Sequence, residues 1–246
     1  MLAILAAAGT LALRPAGIVR LVSFAVGALL GAVFLELLPN ALADAPAERV
    51  TVTVLIGLFA FFLLEKLVLW RHSHGEEAAA PPDDAGAFAH ATHADDQGRS
   101  GLMILIGNSV HNFCDGIVIA ASFLSNPALG LATTVAIVAH AIPQQVGDFA
   151  VLLHSGYARA RAFTFNVATG IATLAGGVAG YFALEHMQEV LPTVLAIAAA
   201  SLLYVSVADL IPSLHRHPHP AETAKQLLLM ALGVGIIAVV HVWVEA

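Results

Sequence analysis

The sequence predicts an all-α membrane protein, a bundle of about eight transmembrane helices with both termini outside. Three observations predict it. Of 246 residues, 59% are hydrophobic and 11% charged, against roughly 45–50% and about 25% in soluble domains. Apolar runs long enough to cross a bilayer recur along the whole chain. Basic residues, with one exception, fall on one alternate set of connections. The same composition excludes a soluble enzyme and a disordered chain. Ten Lys+Arg against 17 Asp+Glu, a net charge of −7, leaves no basic footprint for nucleic acid. The single cysteine, Cys114, excludes an internal disulfide and a Cys-based zinc site. Twelve histidines outnumber the Lys+Arg, and that is a first sign of metal.

Taken in order, the first segment, 1–13, is apolar but stops at Arg14-Pro15. At about 1.5 Å per residue it is too short to cross the core, so it reads as a half-embedded or truncated first helix. It lacks the positive leader of a signal peptide. Seven full spans follow at 17–43, 50–70, 100–124, 128–155, 160–184, 190–214 and 225–244. With eight segments, Arg14, Arg20, Lys66, Arg71, Arg99, Arg159, Arg161, Arg216 and Lys225 share one side. Arg49 alone lies opposite, near Asp44 and Glu48. This bias makes the basic side cytoplasmic and sends both termini outward. The chain reads as one transmembrane domain, 1–246. Residues 71–99 form a flexible, His-rich cytoplasmic loop with His72, His74, His90 and His93. His215, His217 and His219 form a second cluster on that side. Gly27/Gly31 and Gly176/Gly180 fit close helix packing.

Ionisable groups inside a span are costly, so they mark cavities and pathways. The fourth span reads GNSVHNFCDGIVIA, with His111, Asn112 and Asp115 near its middle. The fifth reads VAHAIPQQVGDFA, with His140 and Gln144 at similar depth. His111/Asp115 and His140/Gln144 are each four apart and share a helix face. Pro143 frees a carbonyl near residue 139, and Gly116 and Gly147 permit close approach. The connection around Asn126-Pro127 is short, so the two helices pack as an antiparallel pair. Imidazole, carboxylate and amide donors suit a borderline divalent ion such as zinc, which takes about four ligands. The metal site expected is therefore His111, Asp115, His140 and Gln144, with Asn112 in reserve. A lone buried His is ordinarily a packing residue, but two such pairs meeting across one turn favour metal. Glu36, Asp148 and Asp209 mark an expected transport pathway on either side.

These segments resemble the ZIP (Zrt/Irt-like) metal transporters. HNFCDG and HAIPQQVGDFAVLLHSG match the paired motifs of the branch reading HNFxDG and HEIPHExGD. FLELLPNA, FFLLEKLVLWRH and LLYVSVADLIP resemble its second, third and seventh helices. The resemblance implies an eight-helix bundle, divalent metal carried into the cytoplasm, motion of a metal-carrying helix group, and a homodimer. It departs at Ala141, Gln144 and Gln145, which stand where the branch has Glu, His and Glu. Glu36 and Asn40 stand where it has His and Glu, and Thr169 and Thr173 stand where some relatives carry an acid. A single ion is therefore expected rather than two.

The reading is a permease in the plasma (inner) membrane, moving Zn²⁺, or else Fe²⁺, Mn²⁺ or Cd²⁺, by alternating access through a mid-membrane site. The metal is the transported substrate, and no cofactor is expected. There is no phosphate loop for ATP. Imidazole must be neutral to bind metal, so external acidity is expected to slow uptake. The partners expected are the ion, the lipid bilayer and a second copy, with no nucleic acid. The alternative is an intramembrane zinc hydrolase of the ceramidase-like kind, with the same ligands activating water. Gln144 and Gln145 are poor bases for that. A metal sensor or inert scaffold would lack the acids of the pathway.

Overall fold

The computed structural model describes residues 15–73, 99–154, 156–215 and 220–245. The expected first segment, 1–13, lies outside the described residues, as do His74, His90, His93, His217 and His219. Every regular element among the described residues is helical. These are α1 (Pro15–Gly31), a π turn (Ala32–Leu37), α2 (Leu38–Asp44), α3 (Ala47–Ser73), α4 (Arg99–Ser125), α5 (Pro127–His154) and α6 (Arg159–Leu184). A 3₁₀ turn (Gln188–Val190), α7 (Leu191–Tyr204), a second π turn (Val205–Leu210), α8 (Ile211–Leu214) and α9 (Pro220–Glu245) follow.

Among the described residues, six spans are long and apolar enough to cross a membrane: Val19–Asp44, Ala47–Leu64, Pro127–Leu153, Arg159–Leu184, Leu191–Ala208 and Pro220–Val240. The remaining long helix, α4, is the one that carries His111, Asn112 and Asp115. The chain is thus a multi-pass membrane protein. Burial sorts the spans into two classes. Val19–Asp44 is 67% buried and Pro127–Leu153 59%, whereas Ala47–Leu64 and Pro220–Val240 are 11% buried. Apolar side chains on α3 and α9, such as Phe59 and Val239, are therefore left for lipid. One core joins α1, both parts of the second span, α4, α5 and α7, with Leu29, Leu37, Leu129, Leu195 and Leu202 fully buried.

Two helix pairs are pressed together at glycine. A Cβ on Gly27 would strike the Met230 carbonyl of α9, and one on Gly116 the Thr173 carbonyl of α6. Gly176 meets the Phe113 carbonyl in the same way. Small residues let backbones touch where lipid provides no hydrophobic drive. Gly147 differs from expectation, since nothing lies within 4 Å of its Cβ position. It leaves open room beside α5 instead of admitting a neighbour.

The two π turns are alike in sequence. Glu-Leu-Leu-Pro (36–39) leaves the first and Asp-Leu-Ile-Pro (209–212) leaves the second. A proline ring clashes with the carbonyl four residues earlier and removes one hydrogen bond. Those carbonyls belong to Leu35 and Ala208, inside the widened turns. The π geometry relieves the clash without ending the helix. Each turn also packs on the other's span, the first on α7 and the second on α1.

Candidate metal centre

The site is carried by the α4–α5 hairpin. Asn126 turns the chain: its Oδ1 accepts the Ala128 amide N–H at 2.7 Å, and Pro127 occupies the first helical position. That cap fixes the register in which the two helices run back along each other. Asp115 then lies opposite His140, with Asp115 Oδ2 3.5 Å from His140 Nε2 and 3.6 Å from His111 Nε2. The two Nε2 atoms are 3.4 Å apart, with the rings edge to face at 70°. Asp115 and His140 are each 2% exposed, and His111 is partly open.

These separations are long for hydrogen bonds, which run at about 2.7–3.2 Å. They fit a shared cation. Zinc bonds of about 2.0–2.2 Å in a tetrahedron place ligand atoms roughly 3.3–3.5 Å apart. Among the described His, Cys, Asp and Glu, this is the one group of three able to hold a metal ion. His140 turns its Nδ1 toward its own helix, 3.4 Å from the Ala136 carbonyl. An Nδ1–H donated there leaves the Nε2 lone pair free to ligate.

The other expected residues fall around this group in different ways. Asn112 is buried, but its Nδ2 donates to the Thr169 carbonyl at 3.2 Å. Its amide nitrogen braces α6 against α4 instead of turning to the triad. Gln144 is half-buried one turn after His140. The hairpin register that sets Asp115 opposite His140 brings Gln144 to the level of His111. Asp148 is buried two turns farther along α5, where Asn108 of α4 lies against it. Glu36 is 1% exposed on the first π turn. Neither joins the triad. Asp209 belongs to the second π turn, and its side chain lies outside the described residues. A cavity of about 280 Å³ lies elsewhere, between the α8 end and α9, with His215 in its wall. It does not touch the triad.

Sequence reasoning missed Asn166. Its Nδ2 donates to the Gln145 carbonyl at 2.9 Å, while Thr169 Oγ1 donates to the Asn166 carbonyl at 2.8 Å. Gln145 Nε2 reaches Thr169 Oγ1 at 3.5 Å. Four neutral polar residues thus lash α4, α5 and α6 together beside the triad. Asn166 was invisible because it sits alone in an apolar helix, and its partner is a backbone atom. Replacing Asn166 by Leu keeps the volume and removes the donor. We expect a loss of about 1 kcal/mol, as for interhelical hydrogen bonds in membranes, read as a lower thermal midpoint in detergent. An unchanged midpoint would show that this bond contributes nothing.

Comparison with known proteins gives the family. The family model described as ZIP Zinc transporter matches residues 71–241. The chain is 32% identical to "Zinc transporter ZIP13" of Mus musculus, over 96% of this chain and 74% of the relative. It is 31% identical to the Homo sapiens protein of that name, over 92% and 71%. It is 28% identical to the "Zinc transporter ZIP13 homolog" of Drosophila melanogaster, over 92% and 78%.

Proposed function

This chain belongs to the ZIP family of zinc transporters, and from that premise we propose that it carries Zn²⁺ across the membrane toward the cytoplasm through a single site made by His111, Asp115 and His140. It is a metal transporter and not an enzyme, so the hydrolase alternative falls away. The observation that carries the reading is the convergence of three ligand atoms at tetrahedral spacing, with Asp115 and His140 buried. Gln144 or water completes the shell. Two neutral imidazoles and one carboxylate hold a divalent ion without neutralising it fully. That balance suits a carrier, which must release what it binds. Fe²⁺, Mn²⁺ and Cd²⁺ are the competing cargoes, because these donors discriminate among them only weakly.

Alternating access around a mid-membrane site is the proposed mechanism. The basic connections put the Asn108–Asp148 pair on the cytoplasmic side of the triad. Gly147 leaves space there, so an ion leaving the triad meets the Asp148 carboxylate next. Glu36 and Asp209 stand on the two π turns as pathway acids nearer the two ends. Zinc flux into proteoliposomes tests the reading. His111→Ala, His140→Ala and Asp115→Ala should each abolish flux, and flux surviving all three would remove the site. Asp148→Asn separates release from binding: turnover should fall several-fold while zinc affinity at the triad holds. Equal losses in both would make Asp148 part of the binding site instead.

A further inference from the structure

Three neighbouring helices each carry a pair of polar residues beside the triad: Asn108 and Asn112 on α4, Gln145 and Asp148 on α5, and Asn166 and Thr169 on α6. The members of each pair are three or four apart, so each pair shares a helix face. Amide nitrogens tie the helices together. Asn112 Nδ2 donates to the Thr169 carbonyl, Gln145 Nε2 to Thr169 Oγ1 and Asn166 Nδ2 to the Gln145 carbonyl. The oxygens are left over. Gln145 Oε1, Asn166 Oδ1 and Asp148 Oδ2 are buried with no hydrogen-bond partner, in residues 3%, 3% and 7% exposed. Unpaired acceptors in such an interior are costly, and a carboxylate oxygen most of all.

Helix register brings these three oxygens to one depth. Asn112 meets Thr169 at an offset of 57 residues, and Gly116 meets Thr173 at the same offset. Helices α4 and α6 therefore run parallel, and Asn108 comes level with Phe165, next to Asn166. The Asn108 side chain hydrogen-bonds the Asp148 carboxyl group, which sets α5 at that level too. Gln145 stands one turn from Asp148 and is held by Asn166 itself. Asp148 follows His140 by eight residues, about 12 Å along the axis toward the cytoplasmic side. Gly147, on the face that continues from His140 and Gln144, has open space beside it.

We propose that Gln145 Oε1, Asn166 Oδ1 and the Asp148 carboxylate form an all-oxygen exit station, which receives the divalent ion, with some water, as it leaves the triad for the cytoplasm. The proposal rests on the transport reading above. The station keeps the charge balance of the triad, two neutral donors and one carboxylate, but replaces imidazole nitrogen by oxygen. Carboxylate and carbonyl oxygens suit hard ions such as Mn²⁺, whereas imidazole suits zinc. Zinc is therefore held less tightly here than at the triad and moves on. With one carboxylate, the station belongs at the weak end of oxygen-ligated sites, about 10⁻⁴–10⁻³ M.

Mn²⁺ is the probe, because it is paramagnetic and takes oxygen ligands. The detergent-solubilised chain, its triad filled with zinc, should bind Mn²⁺ at about 10⁻⁴–10⁻³ M. Spin-echo spectra of that Mn²⁺ should lack imidazole nitrogen, and Asp148→Asn should abolish the binding. Gln145→Glu adds a second carboxylate and should tighten Mn²⁺ about tenfold or more, since ligand charge sets the affinity of such sites. In proteoliposomes the same variant should slow zinc turnover several-fold with triad affinity unchanged. A purely bracing Gln145 predicts a lower thermal midpoint and an unmoved Mn²⁺ affinity. Absence of Mn²⁺ beside zinc, imidazole nitrogen in its spectrum, binding that survives Asp148→Asn, or an affinity indifferent to Gln145→Glu would each overturn the station. The Mn²⁺ readings do not depend on flux. If they fail while the triad variants are inactive, the station falls and the transport reading stands. Flux in all triad variants would sink the transport reading itself.

Discussion

Replacing Asp115 by Asn is expected to weaken zinc binding at least about 100-fold, more than any other single change of similar size. Disturbing the groups that merely orient a metal ligand costs roughly 10–100-fold, and Asp115 is proposed as a ligand itself. It is also the only carboxylate of the triad and lies within 3.6 Å of both imidazoles. Without it a divalent ion would rest on neutral donors in a low-dielectric interior, with no charge to balance it. A hundredfold loss corresponds to about 2.7 kcal/mol, readable by calorimetry or by competition with a zinc dye. The metal-free protein should respond differently. A buried carboxylate carries a desolvation cost that the amide does not, so the thermal midpoint without metal should not fall. Loss of zinc affinity with an intact fold is the signature of a ligand. A fall in the midpoint with zinc affinity retained would assign Asp115 a structural role.

Gly116→Ala should produce a large structural effect for a single methyl group. The added carbon would collide with the Thr173 carbonyl and the Gly177 backbone nitrogen. Both belong to the α6 backbone, which cannot rotate aside as a side chain would. Helices α4 and α6 must separate, at a cost of about 1–3 kcal/mol for overpacking. The consequence reaches the triad because Gly116 adjoins Asp115. Parting α4 from α6 moves that carboxylate relative to His140 on α5, and it strains the Asn112 bond to Thr169. Lower thermal stability and weaker zinc binding should appear together. Gly147→Ala supplies the contrast, since nothing lies within 4 Å of its Cβ. It should leave stability within about 0.5 kcal/mol. Two glycines on facing helices thus separate helix contact from open room, and equal behaviour of the two variants would refute that distinction.

The amino-acid sequence by itself determined the membrane character, the spans and the two polar faces that meet at the triad. It could do so because each depends on local properties. Span length follows from apolar run length, and His111/Asp115 and His140/Gln144 share faces through helical periodicity alone. The short connection at Asn126 then forced those faces together. Span limits moved by at most a few residues, as at Ala47 and Pro220, where helices extend past their apolar stretch.

Tertiary structure alone decided which polar residues converge on the triad and which brace. Asn112 and Asp115 are three apart on α4 and chemically comparable in sequence. Rotation of α4 against α6 directs the Asn112 amide nitrogen to the Thr169 carbonyl, and packing against α5 sets Asp115 on His140. Gln145 and Asn166 meet through a backbone oxygen, a contact that no side-chain pattern encodes. The π turns required their prolines to be read together with a helix that continues unbroken. The physical reason is common to all three cases. Periodicity specifies direction around one helix axis, whereas hydrogen-bond satisfaction depends on how two axes are rotated and spaced, and only packing sets that.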